Sequence, residues 1–392
     1  MAKWTLTWGF TPIDFNMNKG TLEDHTVQTV IQNNLNGDKV KVKFFNVYGP
    51  EDLIIEHAAV QTVNQETGKK SGYVLLKKDG SEKITVPVGE QFYSDEAEIP
   101  VKYNDNLVIS LYFKEKTDVR TFGLSNLGLT WLSYIRGGDF LSGEPLRMGF
   151  GAMKPDFGPA INAKAIGFSN VAVHTDDDVK LIGFFGDSIT HMGYYTGPLV
   201  KMLYEKYPGK VSAVNAGISG NRIQRGFPNF PGEGGGHQFG IAGKDRFEDD
   251  LYLDATPDIV YLMQGVNDTS HSILGREYPI PTAEEIYGAL QEVIKIAHDK
   301  GSKVYIGTIS PFGIKGEAWR PQANEIRLAL NELIRSGNDA DDMIDIDELL
   351  RDPDDPNAMQ EGTNFGDGVH PNIFAGTKMA KAIYNKWFRE GL

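Results

Sequence analysis

Cysteine is absent from all 392 residues, which excludes disulfide frameworks, thiolate nucleophiles and cysteine metal sites together. Basic charge is also scarce. Against 53 Asp and Glu stand 39 Lys and Arg, a formal net charge of −14 that would repel a phosphate backbone, so nucleic acid is not the expected partner. Long hydrophobic runs are missing: no uncharged apolar stretch approaches the roughly 18 residues that suggest a membrane span, and no membrane insertion is expected. The opening MAKWTLTWGF lacks the continuous apolar segment of a signal peptide. The expected address is cytoplasmic, unless a leader has been removed. There is no internal repeat, and the glycine-rich patch Gly232–Gly243 lacks the GxGxxG and GxxxxGK patterns that cradle phosphates. It reads as a loop over a pocket. What remains is ample for a folded chain, since 40% hydrophobic residues can fill a substantial core.

Two halves with different periods follow. Up to about His174 the sequence runs in short β-like segments, KVKVKFFNVYG, YVLLKKDGSEKITVPVG and NLVISLYF, with Asp79-Gly80 as a hairpin signal. This half is expected to be an all-β sandwich or jelly-roll-like domain over residues 1–178. The Gly, Pro and Ala-rich stretch Met148 to Ala165 reads as a connecting loop, and AIGFSNVAV as one more strand. Residues 179–392 then alternate strands and helices, which implies an α/β domain with a parallel sheet covered on both faces. Thr282 and Glu285 form a capping-box pattern, and Ile286, Leu290, Ile294 and Ala297 share the face of the helix that follows. Later helices carry Ile326, Leu330 and Leu333, and then Met379, Ile383 and Trp387.

In such a sheet a ligand binds beyond the carboxyl ends of the strands. Four clusters fall there: Gly186-Asp187-Ser188, Gly217-Ile218-Ser219-Gly220-Asn221, Gly265-Val266-Asn267-Asp268, and the turn Gly366 to Pro371 before the last helix. A serine hydroxyl is a poor nucleophile until a base takes its proton. His370 can be that base and Asp367, three residues earlier, can hold its other nitrogen. The backbone N–H groups of Ser188 and Gly220 and the side-chain amide of Asn267 can then receive the negative charge on an attacked carbonyl oxygen.

GDSIT, NAGISGN, GVND and DGVH, in that order, resemble the serine, glycine, asparagine and Asp-x-x-His blocks of the SGNH or GDSL-type hydrolases. The segments KDRFEDD, DELLRDPDDP and FGDGVHPNIFAG are similar to the branch with a β-rich N-terminal extension. The resemblance implies a flavodoxin-like sheet, with Ser188 as nucleophile, His370 as base, Asp367 as its orienter, and Gly220 and Asn267 as oxyanion donors. It implies esterase, lipase or thioesterase chemistry with no metal or organic cofactor. One departure stands out, because His191-Met192-Gly193 follow GDSIT where relatives often place an acidic residue and glycine.

The remaining polar residues are read more plainly. Asp187 is expected to bond the turn backbone, Asp268 to support the loop behind Asn267, and Ser219 to be structural. His191, His237 and His271 are expected on loops near the site, either solvated or lining the substrate, and their spacing matches no zinc motif. Arg222 is expected to meet either a polar substrate group or an acidic neighbour. Trp4, Trp8, Trp131 and Tyr134 fit a β core better than a sugar platform. The expected function is removal of short acyl groups, above all acetyl, from small-molecule or oligosaccharide esters. The alternatives are a lipase or acyltransferase for longer chains, and a catalytically silent glycan-binding protein.

Overall fold

The computed structural model describes residues 2–14, 20–124, 131–141, 164–226, 239–270, 281–313, 315 and 321–392. The loop expected at Met148 to Ala165 lies almost wholly outside them. The chain divides into two compact units, the first drawn from Met1–Val179 and Leu203–Val214, the second from Lys180–Met202, Asn215–Asn229 and Phe239–Leu392.

In the first unit the alternating segments form antiparallel sheets. Strand Asp105–Phe113 lies between His25–Gln32 and His57–Asn64, with Val108 opposite both Val30 and Gln61. Trp131–Gly137 and Val74–Leu76 extend this sheet on either side. A second antiparallel set joins Gly37–Phe45 to Phe168–Thr175, which also pairs with Lys3–Phe10. Successive strand residues face opposite sides, so Ile31, Leu107, Ile109 and Leu111 of one sheet and Val40, Val42, Val171 and Val173 of the other fill one hydrophobic cluster. Trp8 belongs to this core, while Trp4 is half-buried with the Lys41 ammonium 4.3 Å above its ring. Tyr134 is half-buried in its strand, and the side chain of Trp131 lies outside the described residues.

The Asp79-Gly80 signal is half right. Both residues have positive φ, 52° and 79°, and Lys78 bridges Ser81 across a tight turn held by the Asp95 carboxylate. The flanking strands nevertheless pair elsewhere: Val74–Leu76 with His57–Asn64, and Ile84–Val86 with Leu53–Ile55. Local chemistry set the turn, but burial of apolar faces at a distance set the partners.

The second unit is a mixed α/β fold. Strand Lys180–Gly186 pairs in parallel with Ile259–Met263, which pairs with Lys303–Gly307, which pairs with Asp342–Ile344. The central strand IVYLM is buried along its whole length, as parallel strands covered by helices are. Helix Ala283–Asp299 starts at the Thr282–Glu285 capping box and buries Ile286, Leu290, Ile294 and Ala297. Helix Pro321–Gly337 departs from expectation: it buries Ala323, Asn324, Arg327, Leu330, Asn331 and Ile334, while Ile326 and Leu333 are only half-buried. Arg327 is fully buried because its guanidinium meets Asp347 at 2.6 Å and Asn324 at 2.9 Å. The last helix, Ile373–Ile383, buries Met379 and Ile383 and ends in a wider turn, Tyr384–Phe388, where Trp387 stacks on Tyr305 at 4.3 Å. No helix among the described residues is long and apolar enough to cross a membrane.

Removing one member of a buried ion pair strands the other without its compensation. Arg327→Met should therefore lower unfolding stability by about 3 kcal/mol, with Arg335 still facing Asp347 at 2.7 Å. Urea denaturation measures this, and an unchanged midpoint would show that the pair contributes nothing net.

Candidate active site

From Leu181 onward the strand Lys180–Gly186 is buried, and it gives way at once to the four-residue helix Ser188–His191. Asp187 caps that helix, its carboxylate accepting the Ile189 N–H at 3.1 Å. Ser188 is thus the first helical residue and is 5% exposed. Facing it is the turn Asp367 to Pro371. One Asp367 oxygen accepts the N–H groups of Val369 and His370, each at 2.9 Å, and the other lies 2.6 Å from His370 Nδ1. His370 Nε2 lies 2.8 Å from Ser188 Oγ. Carboxylate, imidazole and hydroxyl form one continuous hydrogen-bonded chain. Burial alone would push the Asp367 carboxyl upward, but the N–H of His370, its ring and the N–H of Val369 outweigh that and hold the carboxyl below its usual range. Asp367 is therefore ionised at neutral pH and fixes the imidazole's Nδ1–H, leaving Nε2 to face the serine.

The glycine cluster follows strand Val211–Gly217. Ile218 donates to Gly186 O at 3.1 Å, and Asn221 N–H closes a turn onto Ile218 O at 3.0 Å. Gly220 has φ +77° in this turn, and a Cβ there would also collide with the Phe239 ring. Asn221, a residue to which sequence reasoning gave no role, ties the cluster together. Its side-chain oxygen accepts from Arg246 at 3.0 Å and Gln264 at 2.6 Å, and its amide donates to Phe239 O and Ile241 O. Its own carbonyl accepts from Asn267 Nδ2 at 3.0 Å.

Arg246 was also missed as a site residue. Its guanidinium is 4% exposed and donates to Gly186 O at 3.0 Å, Ala216 O at 2.8 Å and Asp250 at 2.5 Å, over the face of Phe185 at 4.2 Å. Its only signal in the sequence was the segment KDRFEDD.

Asp268 accepts the N–H groups of Ile223 and Gln224, at 2.9 and 3.0 Å. Asp187 and Asp268, unlike Asp367, are buried: burial, with the Asp268 charge adding to it, pushes the Asp187 carboxyl up to about 7, and burial pushes Asp268 up to about 6. His191 is not a solvated loop residue. It ends the serine helix, is 1% exposed, and its Nδ1 accepts the Ser219 N–H at 2.9 Å with Ser219 Oγ at 2.8 Å. Arg222 is likewise buried, donating to Gly226 O beside the Asp268 charge, so of its two expected roles the acidic neighbour fits. His237, His271 and most of Gly232–Gly243 lie outside the described residues. Among the described residues, no group of three His, Asp or Glu could hold a metal ion.

Residues 184–373 match the sequence model of the GDSL-like lipase/acylhydrolase family. No curated protein matches the chain. Among solved structures, similarity extends to the acetyl xylan esterase AlAXEase, at 23% identity over 53% of this chain and 100% of that one, with a TM-score of 0.40. It extends also to the acetylxylan esterase Axe2 from Geobacillus stearothermophilus, at 19% identity, 53% and 93% coverage and a TM-score of 0.39. A GDSL-like lipase from Bacteroides thetaiotaomicron gives 17%, 53% and 86%, with a TM-score of 0.37.

A carboxyl whose folded pKa is raised supplies stability that is complete below its ordinary value and lost as pH rises to the folded value. For Asp187 that window runs from 3.8 to about 7. Replacing it by neutral asparagine should make the fall in unfolding free energy between about pH 4 and 7 shallower, by about 1 kcal/mol or more. Urea titrations across this range measure the slope, and an unchanged slope would mean that Asp187 is already ionised in the folded chain.

Proposed function

Because this chain carries a domain of the GDSL-like lipase/acylhydrolase family and is a carboxylic ester hydrolase, we propose that Ser188, His370 and Asp367 perform its chemistry. Ser188 Oγ attacks the ester carbonyl while His370 Nε2 takes its proton, and His370 then returns that proton to the departing alcohol. Asp367 orients the imidazole and stabilises its charged form. The N–H groups of Ser188 and Gly220 and the Asn267 amide stabilise the tetrahedral oxyanion. One Asn267 amide hydrogen is committed to Asn221 O, and the other is the donor to substrate. Water, activated by the same imidazole, releases the acid from Ser188. The observation that carries this reading is the unbroken chain from Asp367 through His370 to Ser188, at 2.6 and 2.8 Å. It also argues against a silent glycan-binding protein.

The substrate we favour is a short acyl ester, acetyl above all, on a carbohydrate. The rings of Tyr194 and Phe365, 4.7 Å apart, offer aromatic surface beside the His370 turn against which a sugar face can lie. A second reading draws on the same rim: Phe365, Ile373 and Phe374 are 53%, 45% and 76% exposed, and this apolar surface would also accept a longer acyl chain.

Ser188→Ala and His370→Ala should each lower turnover of p-nitrophenyl acetate by at least about 10³-fold while the circular dichroism spectrum is retained. Wild-type turnover in both variants would defeat the catalytic assignment. A panel of acetylated sugars and acyl chains of increasing length separates the two substrate readings, and preference for long chains would overturn the carbohydrate one.

A further inference from the structure

The donor Gly220 sits where a backbone is prone to flip. Ile218 to Asn221 form a turn closed by the 3.0 Å bond from Asn221 N–H to Ile218 O, with Ser219 and Gly220 as its central residues and Gly220 at φ +77°. A positive φ at the third position is the type II signature, and types I and II differ mainly by a rotation of the peptide between the two central residues. That peptide carries the Gly220 N–H. Rotating it would aim the donor away from the oxyanion.

His191 grips the first of these central residues. Its Nδ1 accepts the Ser219 N–H at 2.9 Å and lies 2.8 Å from Ser219 Oγ, and the ring is 1% exposed. A ring nitrogen that accepts an N–H carries no proton, so this imidazole is neutral with its proton on Nε2. The contact is also tight at the backbone, since a Cβ at Gly217 would collide with the main chain of His191. His191 belongs to the same short helix as Ser188, ending it through the bonds from His191 N–H to Asp187 O at 2.8 Å and from Met192 N–H to Ser188 O at 2.9 Å. One rigid turn of helix thereby carries the nucleophile at its start and the anchor of the glycine turn at its end.

Resting on the oxyanion assignment above, we propose that His191 is a positioning residue that anchors Ser219 at its N–H, in the Ile218–Ser219 peptide, and at its hydroxyl, so that the turn it opens presents the Gly220 N–H to the oxyanion before substrate binds. It touches no reacting atom. Its effect belongs to the transition state, where charge develops on the carbonyl oxygen, and only weakly to binding of the uncharged ester. This gives the histidine that follows GDSIT a role in turnover.

Three variants test the proposal on the full chain with p-nitrophenyl acetate. Asparagine at 191 places an amide oxygen close to the position of Nδ1, and leucine fills similar space with no acceptor. His191→Leu should lose about 10 to 100-fold in kcat, less than the loss of a direct oxyanion donor, with KM within about threefold. His191→Asn should keep kcat within about fivefold of wild type. Should the leucine variant fail to fold, His191→Gln replaces it, since its acceptor lies one carbon further out and the same loss in kcat is expected. Equal impairment of the asparagine variant and its partner, wild-type kcat in the leucine or glutamine variant, or an effect confined to KM would overturn the proposal. Ser188→Ala, measured alongside, separates the two levels: if it keeps wild-type turnover the underlying site reading fails, whereas if it is inactive only the His191 role is at stake.

Discussion

A single hydrogen bond of 2.8 Å, from Ser188 Oγ to His370 Nε2, joins residues 182 positions apart, and the geometry of the site depends on that meeting. Neither partner could reach the other by local structure. Ser188 is placed by a buried parallel strand that stops at Gly186 and by the cap that Asp187 provides, while His370 is placed by a turn folded on the Asp367 carboxylate. Each end is rigid for its own reason, so holding the pair together needs little further ordering when substrate arrives. The lowered pKa of Asp367 keeps the imidazole's partner charged at neutral pH.

Beneath that bond lies a second constraint, the burial of Arg246. A guanidinium out of water is costly unless its donors are satisfied, and here they meet the carbonyls of Gly186 and Ala216, the side chain of Asn221 and the carboxylate of Asp250. Gly186 precedes Asp187, the cap of the Ser188 helix, and Ala216 precedes the glycine turn. The cation therefore ties together the two strand ends from which Ser188 and Gly220 emerge. Its charge also opposes, without cancelling, the burial that raises the Asp187 carboxyl.

Much of this was legible where the physics is local. The run LIGFF ending at glycine marked a buried strand, Thr282 with Glu285 marked a helix start, and the three-residue spacing of Asp367 and His370 allowed one turn to bring them together. Long-range pairings were not legible. Asp79-Gly80 fixed a turn without fixing which strands would pair, because apolar faces far along the chain decided that. Arg246 lies in a polar helical segment, and nothing in KDRFEDD says that carbonyls 30 and 60 residues away will accept its hydrogen bonds. His191 read as a loop histidine for the same reason: its acceptor role exists only once Ser219 has been folded against it.

We propose that Ser188 is activated for attack on a carbonyl by His370, 2.8 Å away. Intact mass measurement after brief exposure to a fluorophosphonate, followed by peptide mapping, tests it most directly, because such a reagent mimics the tetrahedral intermediate and traps an activated serine. A single adduct on Ser188 is expected, formed in step with loss of esterase activity. An adduct on another residue, or an active enzyme that stays unmodified at Ser188, would contradict it.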